Sequence, residues 1–174
     1  KINNTLFLII SKSGNTLETI TNSFLLKIIK KNAKNIILMS ERKNNIIFSL
    51  SKRLNLFHVE HKQFIGGRYS VLTETGLLPA YLMGLNIKNI RKKIKSHLIG
   101  KNRQNLKKNA IYISKLILEK KYHNLIFLNY VPELEKFLFW CQQLIAESLG
   151  KKGKGLLPII SNVPKDHHSL LQIY

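Results

Sequence analysis

The stretch Leu6–Glu18, LFLIISKSGNTLE, decides the fold: five apolar residues run into the polar turn Ser11–Asn15, and a helical pattern opens at once behind it. An unalternated apolar run of this length reads as a strand buried on both faces, the habit of strands in parallel sheets. The helical pattern extends from about Thr16 to Lys31. Beyond it, Asn35–Ser40 (NIILMS) reads as a second buried strand, Asn44–Leu54 as a second helix and Phe57–His61 as a third short strand. A β-α-β-α-β rhythm with short connections predicts an α/β chain whose parallel sheet is covered by helices. Downstream come the glycine turn Gly66–Gly67–Arg68, an apolar helix from Ser70 to Met83, and a basic helical connection over Asn86–Lys108 with a break near Gly100. Then follow a helix at Ile111–Lys120, a strand at Asn124–Leu128, and a helix at Pro132–Leu149 with proline in its first turn. A strand at Leu156–Ser161 and a helix starting near Asp166 complete the pattern.

Composition narrows the class. In 174 residues, 44% are hydrophobic, enough for a buried core, yet no apolar run reaches the ~18 residues of a membrane span. One cysteine, Cys141, excludes a disulfide framework and a multi-cysteine metal site and suits the reducing cytoplasm. The first residues, KINNTLFLIISKSG, lack the order of a secretory signal. The formal charge is +20, from 29 basic and 9 acidic residues, which by itself points to nucleic acid or an anionic surface. Lysine supplies 24 of the 29, however, and arginine, the better reader of phosphate and base edges, only 5. Lys, Asn and Ile rise together, as in Lys34–Asn35–Ile36–Ile37 and Asn44–Asn45–Ile46–Ile47, a pattern an AT-biased genome would produce. The charge is therefore read as compositional background, with neither nucleic acid nor membrane as a partner.

The turn Ser11–Thr19, SKSGNTLET, carries the first chemistry. A strand, a hydroxyl-rich glycine turn and a helix start aim backbone N–H groups and the positive helix end at one point. Ser11, Ser13 and Thr16 can add hydroxyl donors there, and Lys12 adds charge. The spacing is not that of a Walker A loop. A capping box, with Asn15 as N-cap and Glu18 three residues on, is the plainer alternative.

This nonapeptide resembles the phosphate loop of sugar isomerase (SIS) domains, S-x-S/T-G-x-T-x-E, in the form found in the glucose-6-phosphate isomerase family. Three further stretches in the right order resemble that family too. Gly66–Gly67–Arg68–Tyr69–Ser70 is similar to its GGR-[YF]-S signature, Trp140–Gly155 to its E-S-x-G-K context, and Asp166–Gln172 to its D-x-H-S-x-x-Q segment. The resemblance implies a three-layer αβα sandwich of flavodoxin type, holding parts of two SIS units. Residues 1–85 would be the back of the first unit, 86–110 the connection, and 111–174 the front of the second. It also implies an aldose–ketose isomerase working through a cis-enediol, with no metal and no cofactor.

Residue chemistry stands beside the resemblance. Trp140, Gln143 and Glu147 share one helix face at i, i+3, i+7, where an indole would desolvate a carboxylate and raise its pKa toward a general base's range. An exposed Glu147 paired with Lys151 is the alternative. The resemblance makes Glu147 the base, Gln143 a substrate-binding residue, and Arg68 the cation that stabilises the enediolate. Gly66 and Gly67 would let the Arg68 backbone approach the ligand. Of the pair His167–His168, the resemblance selects His168 as the ring-opening acid–base group, with Glu18 orienting it and the histidine supplied by the other subunit of a homodimer. His58, His61, His97 and His123 receive no role.

The family also has an N-terminal section with another glycine-serine loop and a C-terminal lysine, which have no counterpart in these residues. A parallel sheet cut at both ends would have unpaired edges and exposed apolar faces, and marginal stability or obligate association follows for it. Two competing readings remain: a non-catalytic sugar-phosphate-binding module, or an inactive portion of the isomerase.

Overall fold

Asn35–Ser40 forms the centre of the first sheet because its side chains have nowhere else to go. Ile36, Leu38 and Met39 are 0–1% exposed, and alternation along a strand puts Ile36 and Leu38 on one face and Met39 on the other. In the computed structural model, which describes residues 4–174, this run is strand β2 (Ile36–Ser40). It lies between β1 (Phe7–Ile10) and β3 (Phe57–Glu60), parallel to both, with Leu8 opposite Ile37 and Leu38 opposite His58. Helices α1 (Leu17–Leu25) and α2 (Ile46–Arg53) make the two crossovers that a parallel order requires. The core joins Ile9, Ile28, Ile36, Leu38, Ile47 and Leu56, with Phe7, Leu50 and Leu54 packed against it.

The chain divides into two compact units, the first ending at Arg91 and the second starting at Lys92. The first continues beyond β3 through a 3₁₀ segment (Gly67–Leu72), α3 (Glu74–Leu82) and α4 (Ile87–Arg91). In the second, α5 (Ile94–Leu98) and α6 (Gly100–Leu118) precede a parallel pair, β4 (Asn124–Asn129) and β5 (Leu157–Asn162), joined through a 3₁₀ turn and α7 (Glu135–Leu149). Gln142 donates from α7 to the Pro158 carbonyl of β5 at 2.8 Å. Buried Asn129 donates to Asn162 Oδ1 at 2.9 Å, and Asn162 donates onward to Glu135 at 3.1 Å, so polar side chains tie the ends of this strand pair to the helix start. Helix α8 (Lys165–Leu170) closes the described chain. The architecture is α/β with every described strand pairing parallel.

Four sequence expectations need correction. The first helix is half the expected length: Lys27 turns into the left-handed region (φ 51°), and that reversal drops Ile28 into the core rather than carrying it along a helix surface. The helix expected over Ser70–Met83 is split by Thr73, whose extended backbone separates the 3₁₀ segment from α3. Gly100 (φ 64°) opens one long α6 that absorbs the helix expected at Ile111–Lys120. Strand β1 is not buried on both faces. It is an edge of this sheet, so only Ile9 is buried while Phe7, Leu8 and Ile10 are partly exposed. The other edge, β3, leaves Phe57 66% exposed.

Asn45 is the side chain that fixes α2. It is 4% exposed, accepts the Phe48 N–H at 2.8 Å as N-cap, and donates to the carbonyls of Glu41 and Lys43. Replacing Asn45 with alanine removes the cap and strands these carbonyls. The expected cost is about 1–2 kcal/mol, read as a lower urea midpoint with an unchanged m-value.

Candidate functional site

The turn after β1 brings three hydroxyls to one place. Ser11 Oγ lies 2.7 Å from Thr16 Oγ1 and 3.4 Å from Ser13 Oγ, and the Ser13–Thr16 separation is 3.5 Å. Ser11 is buried and accepts the Gly14 N–H at 3.1 Å, so it is the fixed corner, while Ser13 and Thr16 are exposed. Thr16 is the N-cap of α1, but its hydroxyl makes no cap bond and is turned to Ser11 instead. Three hydroxyls thus meet within the turn that leads into α1, residue types and a helix end that can bind an anion.

The capping box expected at Asn15 and Glu18 does not form. Asn15 Oδ1 accepts the Ile46 N–H at 3.0 Å, capping the next helix rather than its own, and Glu18 is exposed on α1. Gly14 explains why. Its φ is +68°, and a Cβ there would stand 1.9 Å from Asn45 Oδ1, so only glycine lets the loop lie against the start of α2. The Ile47 N–H then donates to the Gly14 carbonyl at 3.1 Å.

Lys12 points to the sheet. Its ammonium is 3.3 Å from Glu41 Oε1 and donates to the Gln63 carbonyl at 3.3 Å. Glu41, 3% exposed at the end of β2, also pairs with Lys43. The Lys43 hydrogen bond is the largest influence holding this carboxyl below the ordinary glutamate range, with Lys12 adding to it against the opposing effect of burial. Sequence reasoning missed Glu41. The available signal was a lone acid at the carboxyl end of a buried parallel strand, where α/β sheets place ligand-facing groups. Asn45, read from sequence as compositional background, carried a legible cap signal as the polar residue before Ile46–Leu50.

Arg68 opens the 3₁₀ segment half-buried, its guanidinium 4.9 Å from the Tyr69 ring centroid. Neither glycine before it adopts positive φ. A Cβ on Gly66 would press on the Tyr69 ring at 3.1 Å, while one on Gly67 would meet nothing within 4 Å. Gly66 thus lets the Tyr69 ring lie close to the turn, and Gly67 stands in open space. In the second unit, Gln143 donates to Glu147 Oε1 at 2.8 Å across one turn of α7. Glu147 is exposed, and Trp140 packs on Phe137 with centroids 5.7 Å apart. His168 is exposed on α8, while His167 is the tucked member of the pair, edge-on to Tyr130 at 5.5 Å. Of the histidines left without a role, His58 bonds Ser40 Oγ at 3.0 Å and is held below its ordinary pKa, first by burial and then by Arg42 against the opposing pull of Glu60. His61 is 2% exposed. Among the described residues, no group of three or more His, Cys, Asp or Glu side chains could hold a metal ion, and no helix is long and apolar enough to cross a membrane.

Residues 1–157 match the phosphoglucose isomerase family. A protein named "Probable glucose-6-phosphate isomerase" in Methanococcus maripaludis is 36% identical over 98% of this chain and 40% of its own length. The glucose-6-phosphate isomerase of Methanocaldococcus jannaschii is 33% identical over 99% of the chain and 45% of its own. The chain therefore spans less than half the length of these relatives. A crystal structure of a hypothetical protein from Thermus thermophilus shares the fold, with a TM-score of 0.81 at 24% identity over 99% of this chain and 45% of that one.

Two outcomes follow from the loop. Gly14→Ala forces a left-handed alanine against Asn45 and is expected to cost at least about 2 kcal/mol, read in denaturant unfolding. Because folding lowers the Glu41 pKa, its stabilisation is present above the unfolded value of about 4.3 and is lost as pH falls through the lower folded value. Glu41→Gln is expected to be less stable at pH 7 and to lose one step of the acid limb, measured as the urea midpoint between pH 7 and 3.

Proposed function

The chain belongs to the phosphoglucose isomerase family, and on that premise we propose that it carries part of an enzyme interconverting glucose 6-phosphate and fructose 6-phosphate. The observation that carries the proposal is the triangle of Ser11, Ser13 and Thr16 hydroxyls at the uncapped start of α1. It suits the phosphate of a sugar substrate, with Lys12 in the same turn held by Glu41.

The remaining roles follow the chemistry of aldose–ketose exchange. Glu147 takes the proton from carbon 2 of the open-chain aldose and returns it to carbon 1 of the cis-enediol. Its exposed carboxylate, held by Gln143, is accessible for this transfer. Gln143 itself binds substrate hydroxyls. Arg68 balances negative charge on the enediolate oxygens, where a fixed cation gives a large electrostatic benefit, with Gly66 and Gly67 as the supporting residues before it. His168 protonates the ring oxygen during opening, with Glu18 orienting it. A homodimer in the cytoplasm, in which a second copy supplies the histidine, completes the reading. Proton transfer by side chains needs neither metal nor redox cofactor.

Glu147→Gln tests the reading. With aldose–ketose interconversion as the assay, turnover is expected to fall about 10²–10⁴-fold while sugar-phosphate affinity is kept. Unchanged turnover would remove Glu147 as the base, and a sugar-phosphate-binding module would then be the better description.

A further inference from the structure

We infer that Glu41 is a positioning residue for the anion loop: it holds Lys12, and through Lys12 the Ser11–Thr16 turn, against the carboxyl ends of β2 and β3. Glu41 meets Lys12 twice. Its backbone N–H donates to the Lys12 carbonyl at 3.0 Å, and its carboxylate stands 3.3 Å from the Lys12 ammonium. That ammonium also donates to the Gln63 carbonyl beyond β3 at 3.3 Å. One lysine thus joins the loops that follow all three strands of the first sheet. The carboxylate is buried and shared with Lys43, so it stays charged without Lys12 and remains a fixed anchor rather than a mobile surface partner.

The consequence is a division of labour within the loop. The Lys12 side chain reaches toward Glu41 and Gln63, whereas the hydroxyls of Ser11, Ser13 and Thr16 meet one another. Lys12 acts by placement: with its ammonium latched, the turn is held in the conformation that presents the hydroxyls together, before any anion arrives. Preorganisation of this kind lowers the cost of binding. What the loop binds rests on the function proposed above; the latch itself does not.

Amide hydrogen exchange on the full chain reads the latch without a ligand. Glu41→Gln and Lys12→Met are each expected to speed exchange at Gly14 and Asn15 about tenfold. The amides of Leu38 and Met39 inside β2 should be unmoved, and the double variant should be no faster than either single one. Lys12→Arg keeps a cation within reach of Glu41 and is expected to restore protection. Titration with inorganic phosphate is the second readout, with both single variants weaker by about the same factor, up to tenfold, and the double variant no weaker. Unchanged protection at Gly14 and Asn15, protection lost throughout β2, or additive effects of the two substitutions would overturn the latch. So would phosphate affinity lost in Lys12→Met but kept in Glu41→Gln, because Lys12 would then be a direct ligand. Faster loop exchange in a chain whose wild type binds no phosphate leaves the latch standing and sinks the anion-site reading instead. Should Glu41→Gln fail to fold, Lys12→Met compared with Lys12→Arg decides the matter.

Discussion

A side chain on Gly14 would stand 1.9 Å from Asn45 Oδ1, and much of the first unit depends on that closeness. With no Cβ in the way, the turn after β1 lies against the start of α2, where Asn15 and Gly14 take the leading N–H groups of the helix. Asn45 meanwhile caps the same helix and holds the carbonyls behind β2. Two strand-to-helix junctions are therefore one polar assembly. The hydroxyl triangle is held because the backbone beneath it is bonded to the next crossover.

The assembly also resolves the charge question. A +20 chain has cations to spare, and what distinguishes a cation in it is placement. Lys12 is placed by Glu41 and Gln63, and Arg68 is steadied by Tyr69. Most other basic side chains lie exposed, in loops and on helices such as α6, where they raise the general field that attracts anions without selecting one. Charge brings an anion near. In the proposed reading, the loop after β1 offers it donors in a fixed pattern.

The α/β rhythm was legible because the strands are short apolar runs separated by helical patterns, a signal that survives in Leu6–Ile10, Asn35–Ser40 and Asn124–Leu128 alike. The ends of elements were not. Lys27 and Thr73 break helices for reasons of tertiary packing and local extension that apolar periodicity does not encode. The hydroxyls of the loop were legible because their meeting depends only on a local turn. Glu41 was not, since its partner Lys12 is distant in sequence and its burial arises only when β2 sits between two strands.

The central claim is that the turn after β1 is where a sugar phosphate is held. Its most direct measurement is a titration of the ¹⁵N-labelled chain with glucose 6-phosphate, followed by amide chemical shifts. Saturable shifts concentrated at Ser13, Gly14, Thr16 and Leu17, and abolished together by Ser11→Ala and Thr16→Val, are expected. Shifts confined to the lysine-rich α6, or scattered without saturation, would contradict the claim and return the basic charge to the position of principal anion-binding feature.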